Sequence, residues 1–301
     1  MSVSTVALPA RVSVLTRVSA YVALTKPRII ELLLITTLPT MILAKGGLPD
    51  VWLMIATLVG GALAAGGANA INMFVDRDID KLMHRTAKRP LVTGVITPRS
   101  ALVFAITLEV VAFVELWVCV NLLSAVLAVS ATLFYVFIYT LWLKRTSKQN
   151  IVIGGAAGAM PVLVGWAAVT NSLAWAPVVL FGIIFMWTPP HFWALAFKYK
   201  DDYEAAHVPM MPVVATFRRT AAEIMVYTLV MVGLSLALAP VAHLGLFYVV
   251  SAAVLGAGFV AMAARMWALA TPKASMQLFS YSITYLTLLF VLMAVDVFIA
   301  R

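Results

Sequence analysis

Long apolar runs separated by short polar breaks fill nearly the whole chain. Nine runs approach the roughly 20 residues that a helix needs to cross a hydrocarbon core. They cover residues 28–48, 51–73, 99–118, 120–142, 151–169, 173–196, 220–240, 243–268 and 276–298. The first is interrupted by Glu31 and Pro39, and breaks such as KGGLPD, KRTSKQN, TNSLAW and TPKAS separate the rest. The pattern predicts an all-α, polytopic integral membrane protein: a bundle of nine transmembrane helices over residues 24–301, preceded by an N-terminal tail at 1–23.

Composition agrees. The chain is 63% hydrophobic and 11% charged, with a mean hydropathy of +1.03. Soluble domains are about 45–50% apolar and about 25% charged, so lipid must be the solvent for much of this surface. A net charge of +9 invites a nucleic-acid reading, but the positions of the bases exclude it. With the N-terminus inside, the inside segments hold 19 of the 21 Lys and Arg residues, and only Lys45 and Arg301 fall outside. That bias is the positive-inside signature of topology. Residues 1–20 lack the apolar core of a secretory signal. Arg11, Arg17 and the serines only weakly suggest an organellar transit peptide, so a bacterial inner membrane is expected rather than a mitochondrial one. The single cysteine, Cys119, excludes an internal disulfide.

Two inside segments, near 74–98 and 197–219, depart from a simple basic loop. Together they hold Asp76, Asp78, Asp80, Asp201, Asp202 and Glu204, six of the twelve acids. If a helix continues out of the second run, Asn72, Asp76 and Asp80 recur every four residues along one face, with Asp78 turned away. Such oxygens suit Mg²⁺, which shares its ligands with substrate phosphates and water. Lys81, Arg85, Lys88 and Arg89 follow, donors matched to phosphate oxygens. The second segment, KYKDDYEAAHVPMMP, repeats the mixture with Lys198, Asp201, Asp202 and Tyr203. Two such loops on one membrane face can clamp a metal-bridged diphosphate whose hydrocarbon tail lies among apolar helices. An isoprenyl diphosphate has that form.

The Asn72–Asp76–Asp80 ladder resembles the first Asp-rich motif of the intramembrane aromatic prenyltransferases. The string NMFVDRDIDKLMHRTAKRPLVTG is similar to the branch that farnesylates protohaem IX. So are LTKPRIIELLLITTLPTM, KRTSKQNIVIGGAAGAMPVLVGWAA, TPPHFWALA and DDYEAAHVPMMPVV, which together span about residues 24 to 230. The resemblance implies transfer of a farnesyl group from farnesyl diphosphate to haem B, giving haem O, with Mg²⁺ as cofactor and hand-off to haem A synthase or oxidase assembly. It implies metal ligation by Asn72, Asp76, Asp80, Asp201 and Asp202, with Asp76, Asp80 and Asp202 the catalytic acids. Diphosphate contacts are expected from Lys26, Arg28, Arg85, Lys88, Arg89, Lys198 and Tyr203. Lys144, Arg145 and Lys148 share the same face. Two positions depart from the pattern: Lys198 replaces the first acid of an Asp-x-x-x-Asp motif, and His207 stands where a glycine is expected.

His191, a polar residue in an apolar run near Trp187 and Trp193, is the candidate haem contact. Glu109 and Glu115 are expected to face the bundle interior, and Gly154 and Gly158 to allow close helix packing. Two other readings remain at this point. One is a prenyltransferase acting on a quinone precursor. The other is a secondary transporter, which would place its charged site near the bilayer midplane rather than at one face.

Overall fold

A computed structural model describes residues 13–299, apart from the side chains of residues 28, 29 and 32–34. The helices are α1 (Val14–Thr25), α2 (Pro27–Lys45), α3 (Val51–Val75), α4 (Pro98–Cys119) and α5 (Leu122–Leu133). After α5 the same rod runs on as a π-helix (Phe134–Leu143) and α6 (Lys144–Thr146). Then come α7 (Asn150–Thr170), α8 (Trp175–Lys198), α9 (Lys200–Ala205), α10 (Met211–Val214), α11 (Phe217–Ala242), α12 (Leu246–Leu269) and α13 (Pro272–Ile299). Among the described residues there are no strands. Among the described residues eight helices are long and apolar enough to cross a membrane, counting Leu122–Thr146 as one. With α2 the bundle reaches the nine that the apolar runs predict.

Local chemistry sets where these helices begin and end. Asp50, Thr97, Asn121 and Thr216 cap α3, α4, α5 and α11, each accepting from a backbone N–H three residues on. Pro27 and Pro98 occupy first-turn positions, where a missing N–H costs nothing. The bundle wraps round: α3 packs on α4, α7 on α8, α8 on α11, α11 on α12, and α13 returns to α2 and α8. Large apolar residues line the outside, among them Val103, Ile106, Val110, Val114 and Trp117 of α4. In water that stripe would be an aggregation hazard; toward lipid it is the expected surface.

The segment read as a tail carries α1. Ser13 caps it, and Ala20 and Leu24 are buried in a cluster with Ala70 and Met73 of α3. Glu109 and Glu115 do turn inward, against two glycines of α3. A Cβ on Gly67 would stand 2.6 Å from Glu109 Oε1 and 3.0 Å from the Ala105 carbonyl; one on Gly60 would collide with Glu115 Oε2. Of the two glycines expected to pack, Gly154 meets Tyr139 closely while Gly158 faces open space.

His207 explains its own oddity. Its φ is 52°, in the left-handed region, where it follows the end of α9 and its N–H donates to Glu204 O at 3.0 Å. A glycine occupies that conformation without the Cβ clash, which is why the pattern asks for one.

Two outcomes follow from these contacts. Gly67→Ala should force α3 and α4 apart and cost about 1–3 kcal/mol, lowering the thermal midpoint in detergent. Gly61→Ala, which meets nothing within 4 Å, should leave it unchanged. His207→Gly should raise the midpoint by the equivalent of about 0.5–1 kcal/mol; a lower midpoint would show that the imidazole makes a compensating contact.

Candidate active site at the Asp-bearing end of the bundle

Helix α3 stops at Val75, so the acid ladder is not one continuous helix. Asn72 lies on its last turn, Asp76 is the C-cap, and Asp80 sits in a 3₁₀ turn, Ile79–Lys81. The four-residue spacing nevertheless survives the break. The Asp76 N–H donates to Asn72 O, and the Asp80 N–H to Asp76 O, both at 2.9 Å. The three side chains are buried together, and Asp76 is fully so.

A buried carboxylate needs a counter-charge, and it comes from 68 residues along the chain. Lys144 Nζ, at the end of the π-helical rod, pairs with Asp76 Oδ2. Arg145 places Nη2 3.8 Å from Asp76 Oδ1 and grips Asp78 with two bonds of 2.7 Å. That grip, more than anything else, holds the Asp78 carboxyl down to about 2. Arg89 Nη1 reaches Asp80 Oδ2 at 2.6 Å. Lys26, between α1 and α2, donates to Asn72 Oδ1 at 2.9 Å. Burial pushes its ammonium down to about 7, helped by the like charges of Arg89 and Lys144. An anion bound here would oppose both of those neighbours and keep Lys26 charged.

The second loop joins the first through Asp202. Its two oxygens accept from the backbone N–H groups of His84 and Arg85, each at 3.1 Å. Arg85 in turn donates to the Tyr203 hydroxyl at 3.3 Å and lies 5.3 Å above the Tyr199 ring. Burial raises the Tyr203 phenol above its ordinary range. Asp201, Lys88 and Lys198 are exposed, with Lys198 over the Tyr199 ring at 5.5 Å. The Arg28 side chain lies outside the described residues. His191 is separate from the charged cluster, on α8. It stacks on Trp187 with ring centroids 4.1 Å apart, touches Phe279, and pairs Nδ1 with Ser282 Oγ at 2.7 Å. Trp193 turns away to Tyr227.

The expected ladder, Lys26, Arg89, and the pairing of the two loops thus come together. Lys144 and Arg145 are residues that sequence reading left without an assignment, since nothing local links them to acids so far away. Among the described residues no three Asp, Glu, His or Cys side chains gather closely enough to cage a metal by themselves. The donors nonetheless suit Mg²⁺, which takes few protein ligands and completes its shell with phosphate and water. Asp76 Oδ1 is buried and accepts no hydrogen bond among the described residues, which leaves it a lone pair to offer. Five cations, Lys26, Arg85, Arg89, Lys144 and Arg145, stand among four carboxylates, Asp76, Asp78, Asp80 and Asp202, and the cluster is positive on balance, as a polyanionic ligand requires.

Comparison with known proteins places the chain. Residues 33–292 match the UbiA prenyltransferase family. A protoheme IX farnesyltransferase of Renibacterium salmoninarum is 51% identical over 97% of this chain and 93% of its own length. One from Clavibacter michiganensis is 53% identical (95% and 94%), and one from a Parafrankia species 55% identical (92% and 90%). Among solved structures, a digeranylgeranylglyceryl phosphate synthase superposes with a TM-score of 0.76 at 16% identity, covering 93% of this chain and 98% of its own. A UbiA homologue of Archaeoglobus fulgidus bound to GPP and Mg²⁺ gives 0.64 at 16% identity, covering 91% and 99%. Fold, acid ladder and sequence kinship agree: the chain is a multi-pass membrane protein of the UbiA prenyltransferase family.

Proposed function

We propose that the chain transfers the farnesyl group of farnesyl diphosphate to a vinyl group of haem B, giving haem O for terminal oxidases. The observation that carries this is the buried Asn72–Asp76–Asp80 cluster, ringed by Lys26, Arg89 and Lys144, at one end of an apolar bundle. The farnesyltransferase relatives, 51–55% identical along nearly the whole chain, support haem as the acceptor.

In this reading the diphosphate lies against the cations and the farnesyl tail among the helices. Asn72, Asp76 and Asp80 would hold Mg²⁺, which stabilises negative charge on the departing diphosphate. Lys26, Lys144, Arg85 and Arg89 bring preformed positive charge to the same oxygens, so little reorganisation is needed as the allylic C–O bond breaks. The vinyl group then attacks the farnesyl carbon, forming a C–C bond, and water adds to the resulting cation to give the hydroxyethylfarnesyl side chain with loss of a proton. Asp202 keeps the second loop docked on the first and so closes the site toward water. Asp201, Lys88 and Lys198 would contribute at its rim, and Tyr203 would support Arg85; for Arg28 the sequence resemblance alone supports a diphosphate contact. His191, with Nδ1 tied to Ser282, has Nε2 left to meet haem iron or a propionate. The basic bias of the inside segments supports a bacterial inner membrane with the acid-bearing face cytoplasmic. Release of haem O would be to haem A synthase or to oxidase assembly.

Purified protein in nanodiscs, given haem B and farnesyl diphosphate, should yield haem O by mass spectrometry with Mg²⁺ and none with a chelator. Prenylation of 4-hydroxybenzoate instead would keep the family and overturn the acceptor. Asp76→Asn should reduce turnover about 10²–10³-fold while the protein still elutes as a folded particle; near-normal turnover sinks the assignment of Asp76. For His191→Ala, a changed Soret band of bound haem B is expected, and an unaltered spectrum removes the iron-ligand role.

A further inference from the structure

Thr140 is fully buried on the π-helical segment, and the proposed reaction makes no direct use of it. Its hydroxyl donates to Tyr135 O at 2.9 Å, five residues back. A threonine in an α-helix returns its proton four residues back; here the wider π turn brings the fifth carbonyl into reach. With its one proton used, Oγ1 can only accept, and it accepts from Asn72 Nδ2 at 3.2 Å. The same amide nitrogen donates to Asp76 Oδ2 at 2.8 Å. Both acceptors therefore hold the nitrogen side of the amide, and Asn72 Oδ1 faces the opposite way, onto the Lys26 ammonium at 2.9 Å. A flipped amide would set its oxygen against two acceptors and its NH₂ against a cation.

We propose that Thr140 is a positioning residue: it fixes the Asn72 amide so that Oδ1 is presented to a cation, the divalent metal that accompanies the diphosphate. The inference rests on the metal-dependent reading above. Asp76 holds the amide less exclusively, because the oxygen that accepts from Asn72 also accepts from the Lys144 ammonium. Among the described residues Thr140 Oγ1 accepts from Asn72 alone. Its hydroxyl is committed to a main-chain carbonyl, so its hold on the amide persists when Asp76 is engaged. The committed hydroxyl is thus a pure acceptor aimed at a candidate ligand. Outer partners of this kind set ligand orientation, and their loss costs about 10–100-fold in metal affinity.

The test is Mn²⁺ binding followed by electron paramagnetic resonance, with protein in nanodiscs and the non-reactive farnesyl thiodiphosphate. Thr140→Val and Thr140→Ala should each weaken Mn²⁺ by about 10–100-fold, with thermal midpoints kept close to that of the unsubstituted protein. Thr140→Ser, which retains the hydroxyl, should stay within about twofold, well inside that 10–100-fold loss. Unchanged affinity in the Val and Ala variants overturns the inference, as does an equal loss in Thr140→Ser. If either apolar variant does not fold, the other two carry the comparison. Absence of Mn²⁺ binding in the unsubstituted protein would instead overturn the metal reading itself, and this inference with it.

Discussion

Asp76 is a carboxylate with no exposed surface at the end of a transmembrane helix, and the pairing with Lys144 is what makes it tolerable. Removing an ionised carboxylate from water costs several kcal/mol unless an opposite charge and hydrogen bonds replace the solvent. Lys144 and Asn72 supply these, with Arg145 close by, and each is brought in by a different constraint. Asn72 comes one turn earlier on α3. Lys144 comes at the end of the π-helical stretch, Phe134–Leu143, in the rod from Leu122 to Thr146. The ends of the two rods are thereby fixed to one another, and the first loop starts from that joint.

The loops depend on the same economy of polar partners. Asp202 uses both oxygens on main-chain N–H groups of the first loop, so the second loop is fastened by backbone rather than by a mobile side chain. Arg145 splits its attention between Asp76 and Asp78, and so ties an exposed acid to a buried one. Elsewhere in the bundle buried polar groups behave in the same way. Ser235 links to the Tyr285 hydroxyl at 2.8 Å, and Asp296 accepts from the Gly245 and Tyr248 N–H groups at the start of α12. Interhelical bonds of this sort are worth about 0.6–2 kcal/mol each in lipid. Their larger effect is to fix rotation and register where apolar packing alone would be permissive.

The sequence displayed some of this plainly and concealed the rest. Helix number follows from apolar length, since lipid imposes a simple rule on any segment that crosses it. The Asn72–Asp76–Asp80 face was legible because i→i−4 hydrogen bonds continue through the break, even though α3 itself ends at Val75. His207 could be singled out as an anomaly, and its positive φ supplies the reason. Lys144 could not be matched to Asp76, because the link spans 68 residues and passes through a π-helix that no local pattern announces. The role of Asp202 was hidden for a related reason: its partners are backbone N–H groups, which carry no residue identity.

A physical division of labour follows for the two substrates of the proposed reaction. The diphosphate end requires charge, and every cation that contacts the acid ladder sits at one end of the bundle. The farnesyl chain and the porphyrin require apolar surface, and the interior beyond the ladder offers it, with His191 held by ring stacking and one hydrogen bond rather than by an ion pair. His191 brings no ion pair into the apolar region, so an allylic cation formed near the ladder would be attracted by the diphosphate it has just left and by the carboxylates of the ladder. In the proposed reaction the site would separate two incompatible demands by distance along the helices. Strong fields would gather at the leaving group, and weaker ones would surround the carbon that must wait for the vinyl group rather than for water.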